Sequence, residues 1–97
     1  MIEFHRRARD ELSEALEWYL DRSQDAAQRF LDEVDRVVER IKIDPKSYPT
    51  LDNRHHYVRV SRFPYCLVFE VPASDRVIIK AVAHTSRRVG YWRQRDS

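Results

Sequence analysis

Asp44-Pro45-Lys46-Ser47-Tyr48-Pro49-Thr50-Leu51-Asp52-Asn53 divides this sequence in two, because the spacing of apolar residues changes across it. Its prolines and turn formers make the stretch a loop. Pro45 also stops any helix at Asp44, since proline lacks a backbone donor and disfavours helical torsions in the residue before it. Upstream, Ala27, Phe30, Leu31, Val34, Val37, Val38 and Ile41 recur at steps of three and four, one stripe of an amphipathic helix. Ser23-Gln24-Asp25 interrupts the pattern, and Ser23 or Asp25 can accept hydrogen bonds from the free amides of a new helix. Before it, Ala8, Leu12, Ala15, Leu16, Tyr19 and Leu20 form a second stripe. Two helices joined this tightly run as an antiparallel hairpin.

Downstream the period becomes two. Tyr57-Val58-Arg59-Val60-Ser61-Arg62 alternates, while residues 65–71 and 77–83 are β-rich runs separated by the turn Pro72-Ala73-Ser74-Asp75. Ile2 and Phe4 mark a short first strand. The order β-α-α-β-β-β predicts an α+β fold, an antiparallel sheet with an N-terminal helical hairpin packed on one face. Strict alternation on the last strand would put Ile78, Lys80, Val82 and His84 on one face and Val77, Ile79, Ala81 and Ala83 on the other.

Composition bounds the chemistry. The 97 residues fit one compact domain over positions 1–97. A charged fraction of 35% and the absence of any apolar run near the roughly 20 residues of a membrane span exclude such a span. Gly90 is the only glycine, so neither a P-loop nor a dinucleotide-binding Gly-x-Gly-x-x-Gly turn can be written. Cys66 alone closes no intrachain disulfide, which fits a reducing cytoplasmic setting, and Met1–Arg7 lacks the apolar stretch of a secretory signal. His55 and His56 are adjacent and lack further ligands at zinc spacing, so no metal and no cofactor is expected. Mid-strand, Cys66 reads as a structural thiol.

The net charge of +2 hides an asymmetry. Residues 1–52 hold nine Lys and Arg against thirteen Asp and Glu, a net of −4. Residues 53–97 hold nine against only Glu70, Asp75 and Asp96, a net of +6. A basic sheet beside an acidic hairpin points to a polyanion or an acidic protein as partner. The last strand delivers His84 into Thr85-Ser86-Arg87-Arg88, followed by Tyr91-Trp92-Arg93-Gln94-Arg95. Guanidinium groups hold phosphates and aromatic faces stack on bases, while a histidine there can act as general acid or base. The same residues can equally pin the C-terminal segment onto the core.

The chain resembles the RelE/ParE superfamily of type II toxin–antitoxin toxins over nearly its whole length. The matching pieces are Ala8-x-x-Glu11-Leu12-x-Glu14-Ala15 with Trp18-Tyr19, then Phe30, Pro45-x-x-Tyr48-Pro49 and Arg62-Phe63-Pro64-Tyr65. They end with His84-x-x-Arg87-x-x-x-Tyr91-Trp92-x-x-Arg95. The last two look most like the ParE-type, plasmid-stabilisation branch. This resemblance implies the fold already read from periodicity, and a cognate antitoxin protein as partner.

Two activities occur in that superfamily. RelE-like members are ribosome-dependent mRNA endonucleases, usually with basic residues on the middle strands. Here Cys66 follows Tyr65 where an arginine is usual, and Val58-Arg59-Val60 stands where lysines are common. His84, Tyr91, Arg59 and Arg87 remain as the nuclease set. ParE-like members act on DNA gyrase without a catalytic constellation, and this is the activity the resemblance implies for the chain. The expected surface toward target or antitoxin comprises Arg62, Arg87, Arg88, Tyr91, Trp92, Arg93 and Arg95. An inactive relic that only binds antitoxin is a further possibility.

Overall fold

A computed structural model describes residues 1–96. The elements are β1 (Ile2–Phe4), α1 (Arg6–Leu20), α2 (Gln24–Ile43), a short 3-10 turn (Pro45–Ser47), β2 (His55–Arg59), β3 (Tyr65–Ala73) and β4 (Arg76–His84). Ser23 caps α2 by accepting from the Ala26 amide at 3.1 Å, satisfying one of the donors left free at a helix start. His5 caps α1 in the same way, its Nδ1 accepting from the Arg7 amide at 3.0 Å. Asp44 leaves the helical region and Pro45 opens the 3-10 turn.

The four strands form one sheet in the order β1-β4-β3-β2. Its main body, β2 to β4, is antiparallel as expected, while β1 joins β4 in parallel. Two helices and two strands separate β1 from β4 along the chain, so no tight turn forces the antiparallel sense on it. Both helices cover one face. Ala8, Ala15, Phe30, Val34, Val37 and Ile41 pack there against Leu67, Phe69, Val77, Ile79 and Val82. The Phe30 ring lies within 5.5 Å of Tyr19, Phe63 and Tyr65, tying both helices to the far end of the sheet. Fully burying side chains of this size contributes roughly 1.5–3 kcal/mol each.

The strict alternation expected for β4 does not hold. Val68 pairs with Ala81 and Phe69 with Ile79, so Lys80 is an extra residue without a partner, a β-bulge. The phase of the strand changes there. Val77, Ile79 and Val82 therefore share the helix-side core, whereas Ala81 and Ala83 face the other side. On that second face, Val68, Ala81 and Ala83 are covered by Trp92, with Tyr57 and Tyr91 against them. The bulge lets one strand feed two cores.

Candidate functional site

The end of the sheet that carries the C-terminus of β4 brings Tyr65, His84 and Arg87 together with Glu11 and Glu14 of α1. Tyr65 and His84 are cross-strand partners, with ring centroids 5.1 Å apart at 81°. The Ser86 amide donates to His84 Nδ1 at 3.0 Å, and the Ser86 hydroxyl lies 2.8 Å from the same nitrogen. An acceptor role at Nδ1 assigns the ring proton to Nε2. Burial raises the Tyr65 hydroxyl above its ordinary pKa, and the negative charge of Glu14 adds to the effect. A groove of about 400 Å³ runs between α1 and this sheet end, lined by Glu11, Glu14, Trp18, Tyr65, His84 and Arg87. Trp18 keeps 51% of its surface exposed there.

Beyond β4 the chain turns back. Gly90 adopts a φ of +92°, a left-handed conformation that glycine reaches without strain. The turn sets Tyr91 under Arg87, whose guanidinium sits 4.1 Å over the ring. The Tyr91 hydroxyl donates to Glu11 Oε2 at 2.7 Å. Burial, then the hydrogen bond and the charge of Glu11, push this hydroxyl far above its ordinary pKa. Arg95 grips the same carboxylate with two prongs, Nη1 to Oε1 at 2.9 Å and Nη2 to Oε2 at 3.0 Å. Arg93 donates to Asp52 Oδ2 at 3.0 Å, and Trp92 is buried at 3% exposure.

Residues 2–89 match the family model described as ParE toxin of type II toxin-antitoxin system, parDE. This chain belongs to the ParE toxin family. Its members pair with an antitoxin, so an antitoxin partner is implied for this toxin as well. Among solved structures, one titled chromosomal ParDE TA system from P. aeruginosa superposes with a TM-score of 0.73 at 14% identity. The alignment covers 86% of this chain and 92% of that one, which establishes a shared fold. A search of curated proteins finds no sequence match.

Within this ParE-family toxin, the residues picked out from sequence fall into separate places. His84 and Arg87 line the α1 groove, with Tyr91 behind Arg87. Arg59 does not join them. Its neighbour Val58 packs on the helix side, so Arg59 lies on the opposite face of the sheet, across from Cys66. Burial raises the Cys66 thiol pKa, the condition of an unreactive cysteine. Arg62 sits in the β2–β3 turn and Arg88 after β4, both exposed. Trp92, Arg93 and Arg95 hold the C-terminal segment down. His55 and His56 diverge, His55 Nδ1 toward Asp52 and His56 Nδ1 toward the Tyr48 carbonyl at 2.9 Å. The described residues contain no group of three or more His, Cys, Asp or Glu able to hold a metal ion.

Sequence reasoning missed Glu11, Glu14 and Asp52 as organising residues. A signal for the first was present. Glu11 is the one acid in the first motif that lies on the apolar stripe side of α1, one position before Leu12 and four before Ala15. A carboxylate placed there reaches the sheet edge rather than solvent.

Proposed function

We propose that this ParE-family toxin arrests growth by binding DNA gyrase, and that its antitoxin blocks it by laying an apolar, acidic segment along the α1 groove. The family match carries the toxin part of this reading. Support for gyrase over mRNA cleavage comes from the position of Arg59. Attack of a 2′-hydroxyl on a phosphate needs a base, an acid and cations converging on one phosphorus. Arg59 is held on the sheet face opposite His84, and the Tyr91 hydroxyl is engaged by Glu11. His84 and Arg87 remain at the groove with one cation between them.

For the antitoxin, the groove supplies apolar contacts from Ala15, Trp18, Tyr19 and Val82, with Arg87 at its edge. A tail burying apolar side chains there and setting acidic residues toward Arg62, Arg87 or Arg88 uses both. Its affinity then falls as salt rises. Purified toxin inhibiting the supercoiling activity of purified gyrase is the expected result. A second reading, ribosome-dependent mRNA cleavage, draws on His84, Glu14 and Arg87 sharing one groove. Codon-positioned mRNA cuts that vanish with His84→Ala, together with unimpaired gyrase, decide for that reading and against ours.

A further inference from the structure

The two carboxylates that line the α1 groove differ in how they are held. Both oxygens of Glu11 are taken, by the Val82 amide, the Tyr91 hydroxyl and the two prongs of Arg95. Glu14, one turn further along α1, has no hydrogen-bond or ion-pair partner among the described residues. The contrast with α2 is direct. There Asp25 pairs with Arg29, Glu33 with Arg36 and Glu39 with Lys42, all at steps of three or four. On α1 the positions three and four away from Glu14 hold Asp10, Glu11, Glu17 and Trp18. The helix therefore offers Glu14 no cation, and its neighbouring carboxylates repel it.

The groove also has an order. Arg87 stands at its Glu11 end, stacked on the Tyr91 ring whose hydroxyl reaches Glu11. Glu14 comes next, close enough to Tyr65 for its charge to act on that hydroxyl. Trp18 follows one turn on, half exposed, with Tyr19 and Pro64 in the same wall. Arg22 closes the row. Its guanidinium lies 3.5 Å over the Trp18 ring and donates to the Trp18 carbonyl at 2.8 Å. Neither Arg87 nor Arg22 has a carboxylate partner among the described residues. Positions 11, 14, 18 and 22 follow one another at about one helical turn, roughly 5–6 Å, an interval that one face of a partner segment can match.

The unpaired charges thus run cation, anion, aromatic, cation from Arg87 to Arg22, and a complementary segment runs acid, base, apolar, acid. We infer that the antitoxin segment seated in the α1 groove carries a lysine or arginine against Glu14, between an acidic residue at Arg87 and an apolar one at Trp18. A uniformly acidic tail would set a carboxylate against Glu14 and be repelled there. The inference rests on the reading of this groove as the antitoxin's seat. It adds the partner's order of charge, the feature by which a groove accepts one segment and rejects another of the same net charge.

The test is isothermal titration calorimetry of the full-length toxin with its own antitoxin. Trp18→Ala weakens binding by about 30-fold or more, the loss expected of an aromatic anchor. Glu14→Gln weakens it several-fold and Glu14→Lys further, whereas a uniformly acidic segment reverses the sign and binds both variants more tightly. Reversing one Lys or Arg of the antitoxin to Glu restores binding to the Glu14→Lys toxin and weakens it for the unsubstituted toxin. Glu14 and Trp18 are exposed, and the Tm of Glu14→Gln stays the same or rises as repulsion within α1 is relieved, which separates lost contact from misfolding. Asp35→Asn, an equal charge change on α2 outside the groove, leaves the affinity as it was. Glu14 variants that bind as well as the unsubstituted toxin or better, while Trp18→Ala binds poorly, overturn the inference and leave the groove as the antitoxin's seat. Trp18→Ala without effect removes the groove reading and the inference with it.

Discussion

Glu11 in the first helix and Arg95 in the C-terminal segment, 84 positions apart, form a two-pronged ion pair at 2.9 and 3.0 Å on the edge of the sheet. The short β1 pairs with β4 only as far as Ile79, which leaves the outer edge beyond it without a strand. The pair takes over that role. Glu11 Oε1 accepts from the Val82 amide at 3.0 Å, and Arg95 Nη1 donates to the Lys80 carbonyl at 2.9 Å. Two side chains thus satisfy backbone groups that would otherwise form a sticky open edge. Lys80 returns the contact, its ammonium donating to the Arg95 carbonyl at 2.6 Å.

Removing one partner strands the other. The two side chains are only 10% and 15% exposed, so little water is available to screen the survivor. Arg95→Met should lower stability by about 2–4 kcal/mol, read by urea denaturation. The double variant Glu11→Gln with Arg95→Met should cost clearly less than the two single changes added together. Additive losses would show that the pair is not the unit.

Gly90 controls how the same segment folds back. A Cβ at this position would run into the Arg93 guanidinium, on top of the strain of a side chain at φ +92°. The Arg93 side chain can move, but doing so abandons Asp52. Gly90→Ala should cost about 1–2 kcal/mol, a fall in Tm of roughly 5–10 °C by calorimetry. An unchanged Tm would mean that the turn is not a constraint on the segment.

Asp52 predicts a pH dependence. Burial alone would raise its pKa, but hydrogen bonds from the Arg54 and His55 amides and from the Arg93 and His55 side chains outweigh it and hold the carboxyl well below the usual range. A depressed folded-state pKa contributes stability above the unfolded value, near 3.9, and loses it as pH falls toward the folded value. Asp52→Asn should therefore cost about 1–2 kcal/mol at neutral pH, with the gap closing below about pH 4. A gap that stays constant down the pH series would remove ionised Asp52 from the account.

Much of the architecture is legible in the chain because its causes are local. The three-and-four spacing from Ala8 to Leu20 and from Ala27 to Ile41, with Ser23 between, places both helices and their cap. Pro45 and the change to period two place the loop and the strands. The bulge is another matter. Val77 to Ala83 alternates without a break in the sequence, and Lys80 is displaced only when β3 and β4 settle their register against both cores. The site was legible in part. His84 and Arg87 share a groove as their spacing at a strand end suggests, whereas Arg59 goes to the other face because β2 must point Val58 at the helices.

The sequence by itself determined the helical hairpin, the β-rich second half and the division of charge between them. Each depends on residues within one or two turns of each other, where periodicity, capping and proline geometry act. Tertiary structure alone decided which charges are spent. Glu11 meeting Arg95, Asp52 meeting Arg93 and Glu70 meeting Lys80 require the chain to close loops of 84, 41 and 10 residues, and no local pattern encodes those meetings. After the pairs form, Arg59, Arg62, Arg87 and Arg88 are the arginines of the basic half left over. The net charge of that half says that cations are in excess; the fold says where.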